Sequence, residues 1–168
     1  MHETDSLGDE TLQESDMIGV ISDTHGLVRP EVFDILKGVD LIIHAGDIGC
    51  AEVLNALETI APVRAVRGNN DRDPWADLIP HDQVIEYGSH LFYVLHELDL
   101  LDLDPAAAEF SAVIYGHSHR PLVETKKGVL YLNPGSAGPR RFSLPISIAR
   151  LHINESSFTP ELIELSVL

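Results

Sequence analysis

From residue 17 onward, short runs of consecutive apolar residues alternate with stretches whose apolar positions recur every three or four residues. Met17–Ile21 is apolar and ends in Ser22-Asp23-Thr24-His25-Gly26, the pattern of a buried strand running into a polar loop. Pro30–Lys37 places Val32, Phe33, Ile35 and Leu36 at helical spacing, with Pro30 suited to a first turn and Gly38 to a helix end. Asp40–His44 predicts the next strand, Ala51–Ile60 a second helix and Val63–Val66 a third strand. This opening favours parallel strands joined by crossover helices.

The second half changes character. Gln83–Tyr87 and His90–Leu95 flank Gly88-Ser89, a hairpin signal. Ala112–Tyr115, Pro121–Thr125, Val129–Leu132 and Ile146–Ile153 predict strands with few helices between them, and Lys127-Gly128 a second hairpin turn. Phe158–Leu165 reads as a final strand or a short helix. A chain that begins strand–helix–strand and closes in antiparallel strands predicts an α/β fold of two packed mixed β-sheets flanked by helices.

Composition refines this picture. The 168 residues suffice for one domain with a substantial core, and the 44% apolar share argues against global disorder. Residues 1–16 carry six acids and no Lys or Arg, so they are expected to form an acidic, disordered extension ahead of a single domain over 17–168. They lack the basic and apolar regions of a secretory signal. With one cysteine, Cys50, and no apolar run long enough to span a bilayer, the expected setting is the cytoplasm, away from membranes. A net charge of −16, with no basic run longer than Arg140-Arg141 or Lys126-Lys127, disfavours nucleic-acid binding. An anionic substrate then needs local positive charge, which bound divalent metal would supply.

The candidate chemistry sits where predicted strands end. Asp23-Thr24-His25, Gly46-Asp47, Gly68-Asn69-Asn70-Asp71, His96 and Gly116-His117-Ser118-His119 each follow an apolar run, so all five loops can converge on one side of a sheet. Carboxylates and imidazoles together suit Mn, Fe or Zn rather than a purely oxygen-liganded Mg or Ca site. Asp-x-His and His-x-His, if extended, would direct both side chains of each pair to one side.

These five blocks, in this order and together with Asn133-Pro134-Gly135-Ser136, resemble the calcineurin-like metallophosphoesterase superfamily, in particular its small YfcE-type phosphodiesterase branch. The resemblance spans roughly Met17 to Ile153. It implies that Asp23, His25 and His119 bind one divalent transition metal, that Asn69, His96 and His117 bind a second, and that Asp47 bridges both. It implies Mn²⁺ foremost, with Fe, Zn²⁺ or Ni²⁺ as alternatives, and attack on phosphorus by a hydroxide held between the ions. Asp47, Asn69, Asn70 and Asp71 are the expected catalytic-loop residues. Two departures stand out. Asn70 occupies the position where many monoesterases of the superfamily carry a proton-donating His, a lack the small branch shares. Glu97 replaces the Gly that usually follows the equivalent of His96.

The expected substrate is a small phosphate diester. A phosphomonoesterase on the same site and a non-catalytic protein-binding module of the same fold are the competing readings, and a homo-oligomer is left open. The complete set of seven metal-competent side chains favours catalysis over a binding module. His44 is expected to support the site rather than ligate. Arg67, Arg72 and Arg120 flank the motifs and are equally suited to substrate phosphate or to solvent, while Trp75 reads as packing before substrate rim.

Overall fold

A computed structural model describes residues 16–167; the acidic extension expected over residues 1–16 lies outside the described residues except for Asp16. The elements are β1 (Asp16–Ile21), α1 (Pro30–Ile35), β2 (Leu41–His44), α2 (Ala51–Glu58), β3 (Val63–Ala65), β4 (Asp82–Tyr87), β5 (His90–Leu95), β6 (Ala112–Ile114), β7 (Leu122–Lys126), β8 (Val129–Asn133), β9 (Ser147–Ile153) and β10 (Phe158–Glu164). β1 starts one residue before the expected Met17, because Asp16 pairs with Ile153 of β9 and its carboxylate accepts the Tyr87 hydroxyl. The ambiguous segment from Phe158 is a strand, paired along its length with β9.

The strands form two five-stranded mixed sheets, ordered β10-β9-β1-β2-β3 and β4-β5-β6-β8-β7. Alternation along the strands builds the layers. Ile18 and Val20 of β1, Ala149 and Leu151 of β9, Phe92 and Val94 of β5 and Leu132 of β8 fill the space between the sheets. The opposite face of β1 packs under the helices: Ile21 joins Val32, Leu36, Val53 and Leu57 there, and Gly19 leaves room for the Leu36 side chain. The outer face of the second sheet is covered differently. Among the described residues no long helix lies on it; Leu98, Leu101 and Phe110, from a segment holding a single 3-10 turn, pack on Tyr93, Val113 and Tyr115.

The second half is not wholly antiparallel, as the sequence pattern suggests. β5, β6 and β8 run parallel to one another, joined by the crossover 96–111 and by the β7 hairpin. In the first sheet, β1, β2 and β3 are parallel as expected. The consequence is functional: the loops after β1, β2, β3, β5 and β6 all leave at carboxyl ends of parallel strands, and they meet along one edge of the sandwich. Among the described residues no helix is long and apolar enough to cross a membrane.

Candidate metal centre

Backbone hydrogen bonds stitch the loops together before any side chain enters. Asp23 N–H donates to Gly46 O and His25 N–H to Asp47 O, both at 3.0 Å, which lays the β1 loop along the β2 loop. Gly116 N–H donates to His96 O at 3.0 Å, joining the β6 loop to the β5 end. His117 N–H then reaches across to Asp23 Oδ2 at 3.1 Å and ties the two sheets' loops together.

The way these loops aim their side chains departs from the extended geometry anticipated for Asp-x-His and His-x-His. Asp23, His25, Asp47, His117 and His119 all lie at positive φ, between 46° and 71°. This left-handed region is costly for residues with a Cβ and is concentrated at functional sites. The chain therefore turns sharply at each of these residues, and the turn, not strand alternation, points the side chains inward. Gly46, at φ 99°, is required for a second reason: a Cβ there would stand 2.6 Å from Nδ1 of the His96 ring.

Asp23 forms the floor. Its Oδ2 accepts the Ser22 hydroxyl at 2.7 Å and the His117 N–H. Its Oδ1 is buried without a hydrogen bond and faces three imidazoles, His119 Nε2 at 3.3 Å and His25 and His96 Nε2 at 3.9 Å. Asp47 stands beside it, with Oδ2 3.4 Å from His96 Nε2 and 3.7 Å from His25 Nε2. His25 and His119 Nε2 approach each other to 3.4 Å. His96 Nδ1 donates to Ala45 O at 2.7 Å, which presents a bare Nε2 to the centre; that atom is buried and has no hydrogen-bond partner.

His117 is more exposed and stands at the rim. Its Nδ1 is 3.2 Å from Asn69 Oδ1, and its Nε2 is 3.4 Å from Glu97 Oε1. All seven anticipated ligands thus occupy one cluster: Asp23, His25, Asp47, His96 and His119 inside, Asn69 and His117 at its mouth. Glu97 turns its carboxylate toward His117 rather than disrupting the loop that carries His96.

The electrostatics call for cations. Burial pushes the Asp23 and Asp47 carboxyls up. His119, His96 and Ser22 for Asp23, and His96, Asn70 and His25 for Asp47, outweigh it and hold both carboxyls below their usual range. Burial alone would lower His96, but Asp47 and Asp23 reverse the shift and raise it. Two buried carboxylates with an orphaned oxygen, facing imidazole nitrogens with no aligned donor, suit divalent cations. Asp23, His25 and His119 can converge on one ion, and Asp23, Asp47 and His96 on another.

Supporting residues complete the cage. Asp71 accepts three backbone amides, Gly68 and Ile48 on Oδ2 and Gly49 on Oδ1, at 2.9–3.1 Å, and so clamps the β3 loop to the β2 loop. His44 is fully buried and, by burial, pushed down to about 4. Its Nδ1 accepts the Gly46 N–H, so its Nε2–H donates to Thr24 Oγ1, whose own hydroxyl donates to Ile48 O. His44 is a neutral strut, as expected. Sequence reading missed Ser22, the Ala45 carbonyl, and the parts played by Asn133 and Ser136. Asn133 Nδ2 holds the loop of His117 and His119 through Gly116 O and Ser118 Oγ, and Ser136 Oγ donates to Asp23 O. A small polar residue beside a motif was the one available signal. Trp75 packs against the helix-side core, away from the centre.

Two stacked mixed sheets carrying a buried acid–imidazole cluster on their shared edge define a fold of the metal-dependent hydrolase class. The chain belongs to the calcineurin-like phosphoesterase superfamily: the family's domain model matches residues 17–156. A probable metallophosphoesterase of Methanothermobacter thermautotrophicus is 36% identical over 162 residues, covering 88% of this chain and 91% of the relative. A phosphodiesterase of Methanocaldococcus jannaschii is 29% identical over 137 residues, covering 70% of this chain and 82% of the relative. Among solved structures, Vps29 of Chaetomium thermophilum superposes with a TM-score of 0.76 over 89% of this chain and 88% of its own, at 20% identity, which is a likeness of fold alone.

Proposed function

We propose that this member of the superfamily is a binuclear metal-dependent phosphodiesterase. The observation that carries the reading is the place of Asp47. Its Oδ2 lies 3.7 Å from His25 Nε2 and 3.4 Å from His96 Nε2, nearer to that pair than Asp23 Oδ1 at 3.9 Å from each, as a carboxylate shared by two ions would. Asp23, His25 and His119 would hold one ion, and Asn69, His96 and His117 the other. The mixed nitrogen and oxygen donors favour Mn²⁺, Fe, Zn²⁺ or Ni²⁺. When bound, such ions supply a water of lowered pKa and a positive clamp for the phosphoryl oxygens.

The remaining work belongs to the chain. Asn70 fixes the Asp47 carboxylate, Asp71 fixes the loop that carries Asn69, and the Ala45 carbonyl fixes the His96 ring. Asn70, beside the ligands, cannot donate a proton at neutral pH. Departure of an alkoxide is therefore unassisted there, whereas an aryl oxide leaves without a proton. This supports hydrolysis of activated diesters and weak action on alkyl monoesters. The seven intact ligand types argue against a purely protein-binding role for this chain.

Elemental analysis after Mn²⁺ loading, with rates on bis-p-nitrophenyl phosphate, p-nitrophenyl phosphate and an alkyl monoester, tests the proposal. About two ions per chain and a marked preference for the aryl diester are expected. Fewer than one ion, or equal efficiency on all three esters, would overturn it.

A further inference from the structure

Beside the centre lies a cleft of about 520 Å³, within the size range of small-molecule sites. Asn69 and His96 are among its lining residues, so it borders the cluster. One wall is the β3 loop with Arg67 and Arg72; the other is Tyr93, Leu95 and Leu100. The chain has 27 acids against 11 Lys and Arg, so a basic wall here runs against the overall charge.

Both arginines are pre-set. Arg67 Nε donates to Ile79 O at 3.3 Å, and Arg72 Nε donates to Asn69 O at 3.0 Å. Each guanidinium is thereby oriented by its inner nitrogen, which leaves its terminal nitrogens for a ligand. Among the described residues, the Lys and Arg ion pairs are Lys126–Glu124 and Arg150–Glu161; neither Arg67 nor Arg72 has a carboxylate partner. The acids that line the cleft have partners other than the arginines. Asp71 holds three amides, Asp82 accepts the Tyr93 hydroxyl at 2.7 Å, and Glu97 faces His117. Oriented, unpaired guanidinium groups are receptors for phosphate oxygens, because their fork geometry matches two oxygens at once.

Resting on the diesterase reading above, we infer that Arg67 and Arg72 form a subsite for a second phosphate on the substrate, so that the preferred substrate is a diester whose non-reacting arm is itself phosphorylated. The apolar wall of Tyr93 and Leu100 takes the ring or carbon skeleton joining the two phosphates. An arm of this kind adds negative charge, which the protein's net charge of −16 alone would disfavour. The inference therefore predicts a preference of the opposite sign to the global field.

Two probes that differ by one group test it: the p-nitrophenyl ester of thymidine 5′-phosphate, and the same ester bearing a 3′-phosphate. Wild type is expected to turn over the 3′-phosphorylated ester with kcat/KM about tenfold higher, mainly through KM, the effect of one good charge-assisted contact. Arg67→Gln, which leaves the Arg72–Asn69 contact in place, should remove most of that preference while leaving bis-p-nitrophenyl phosphate turnover and metal content unchanged; Arg67→Lys should restore part of it, and the double variant with Arg72→Gln should show equal kcat/KM for the two nucleoside esters. Calorimetry gives a readout independent of turnover: metal-loaded wild type should bind thymidine 3′,5′-bisphosphate about tenfold tighter than thymidine 5′-phosphate, and the double variant should bind them alike. No preference in wild type overturns the inference. So does an equal loss on bis-p-nitrophenyl phosphate in Arg67→Gln, which would put that arginine on the reacting phosphoryl group. Absence of any turnover of bis-p-nitrophenyl phosphate by wild type would instead strike the diesterase reading, leaving the calorimetric comparison to judge the subsite.

Discussion

Asn70 grips Asp47 twice: its backbone N–H donates to Oδ1 and its side-chain Nδ2 to Oδ2, each at 3.0 Å. The residue that stands where a proton donor is missing thus has a positive task, which is to hold one carboxylate in a single orientation between two histidines. Partners that orient a metal ligand typically contribute 10–100-fold to metal affinity or activity. Asn70→Ala is expected to lower Mn²⁺ affinity by about that factor while the fold persists, since Asn70 faces solvent. Metal titration followed by calorimetry checks this; an unchanged affinity would reduce the double contact to a bystander. Asn70→His should raise alkyl monoester turnover relative to aryl diester turnover, because an imidazolium can protonate the leaving group.

Asp47 and His25 should not be equivalent. Asp47 touches the histidines on both sides of the centre, whereas His25 Nε2 faces Asp23, Asp47 and His119 on one side. Asp47→Ala is expected to drop the bound metal from about two ions to below one, and His25→Ala to leave about one. Elemental analysis at saturating Mn²⁺ distinguishes them, and equal stoichiometry in the two variants would show that Asp47 does not bridge.

Asp71 should act on stability more than on chemistry. Its buried carboxylate satisfies three backbone amides from two loops. Asp71→Ala leaves those donors without their acceptor, and hydrogen bonds to a charged group contribute about 1.5–3 kcal/mol each. With water able to recover part of that sum, a loss of at least about 3 kcal/mol is expected in metal-free denaturant unfolding, with a fall in activity that follows from misplacement of Asn69. A midpoint within experimental scatter of wild type would mean that water replaces the clamp.

His44 sets a pH limit on the metal-free fold. Its folded value of about 4 lies below the ordinary 6.5, because burial opposes its charge. As pH falls, the unfolded chain takes up this proton first. The stability attached to His44 is therefore complete above about pH 6.5 and drains away between about 6.5 and 4, with a total on the order of 3 kcal/mol. His96, shifted upward by Asp47 and Asp23 against its own burial, contributes in the opposite sense, favouring the fold on the acid side of its folded value. The quantity to measure is the difference in unfolding free energy between wild type and His44→Asn across pH 4–7. A flat difference would contradict a neutral buried His44.

Much of this candidate centre was legible in the chain because side-chain types suited to metal ligation are hard to mistake in company. Asp23, His25, Asp47, Asn69, His96, His117 and His119 each follow an apolar run, and strand ends are where such residues converge. The periodic patterns likewise located the strands, whose burial depends on local alternation, and the hairpins at Gly88-Ser89 and Lys127-Gly128.

What the tertiary structure decided are quantities set between distant residues. The direction of β5, β6 and β8 depends on how crossovers pack, and local pattern does not encode it; their parallel course brings His96, His117 and His119 to the edge where β1 and β2 end. Positive φ at Asp23, His25, Asp47, His117 and His119 is imposed by the hydrogen bonds between loops, because such residues do not choose that conformation alone. The freeing of Arg67 and Arg72 likewise needed the fold, since their anchors are backbone carbonyls, one of them twelve residues away, and Asp71, Asp82 and Glu97 beside them have other partners. Residue chemistry can be read along a line, but orientation is a property of the surfaces that packing brings together.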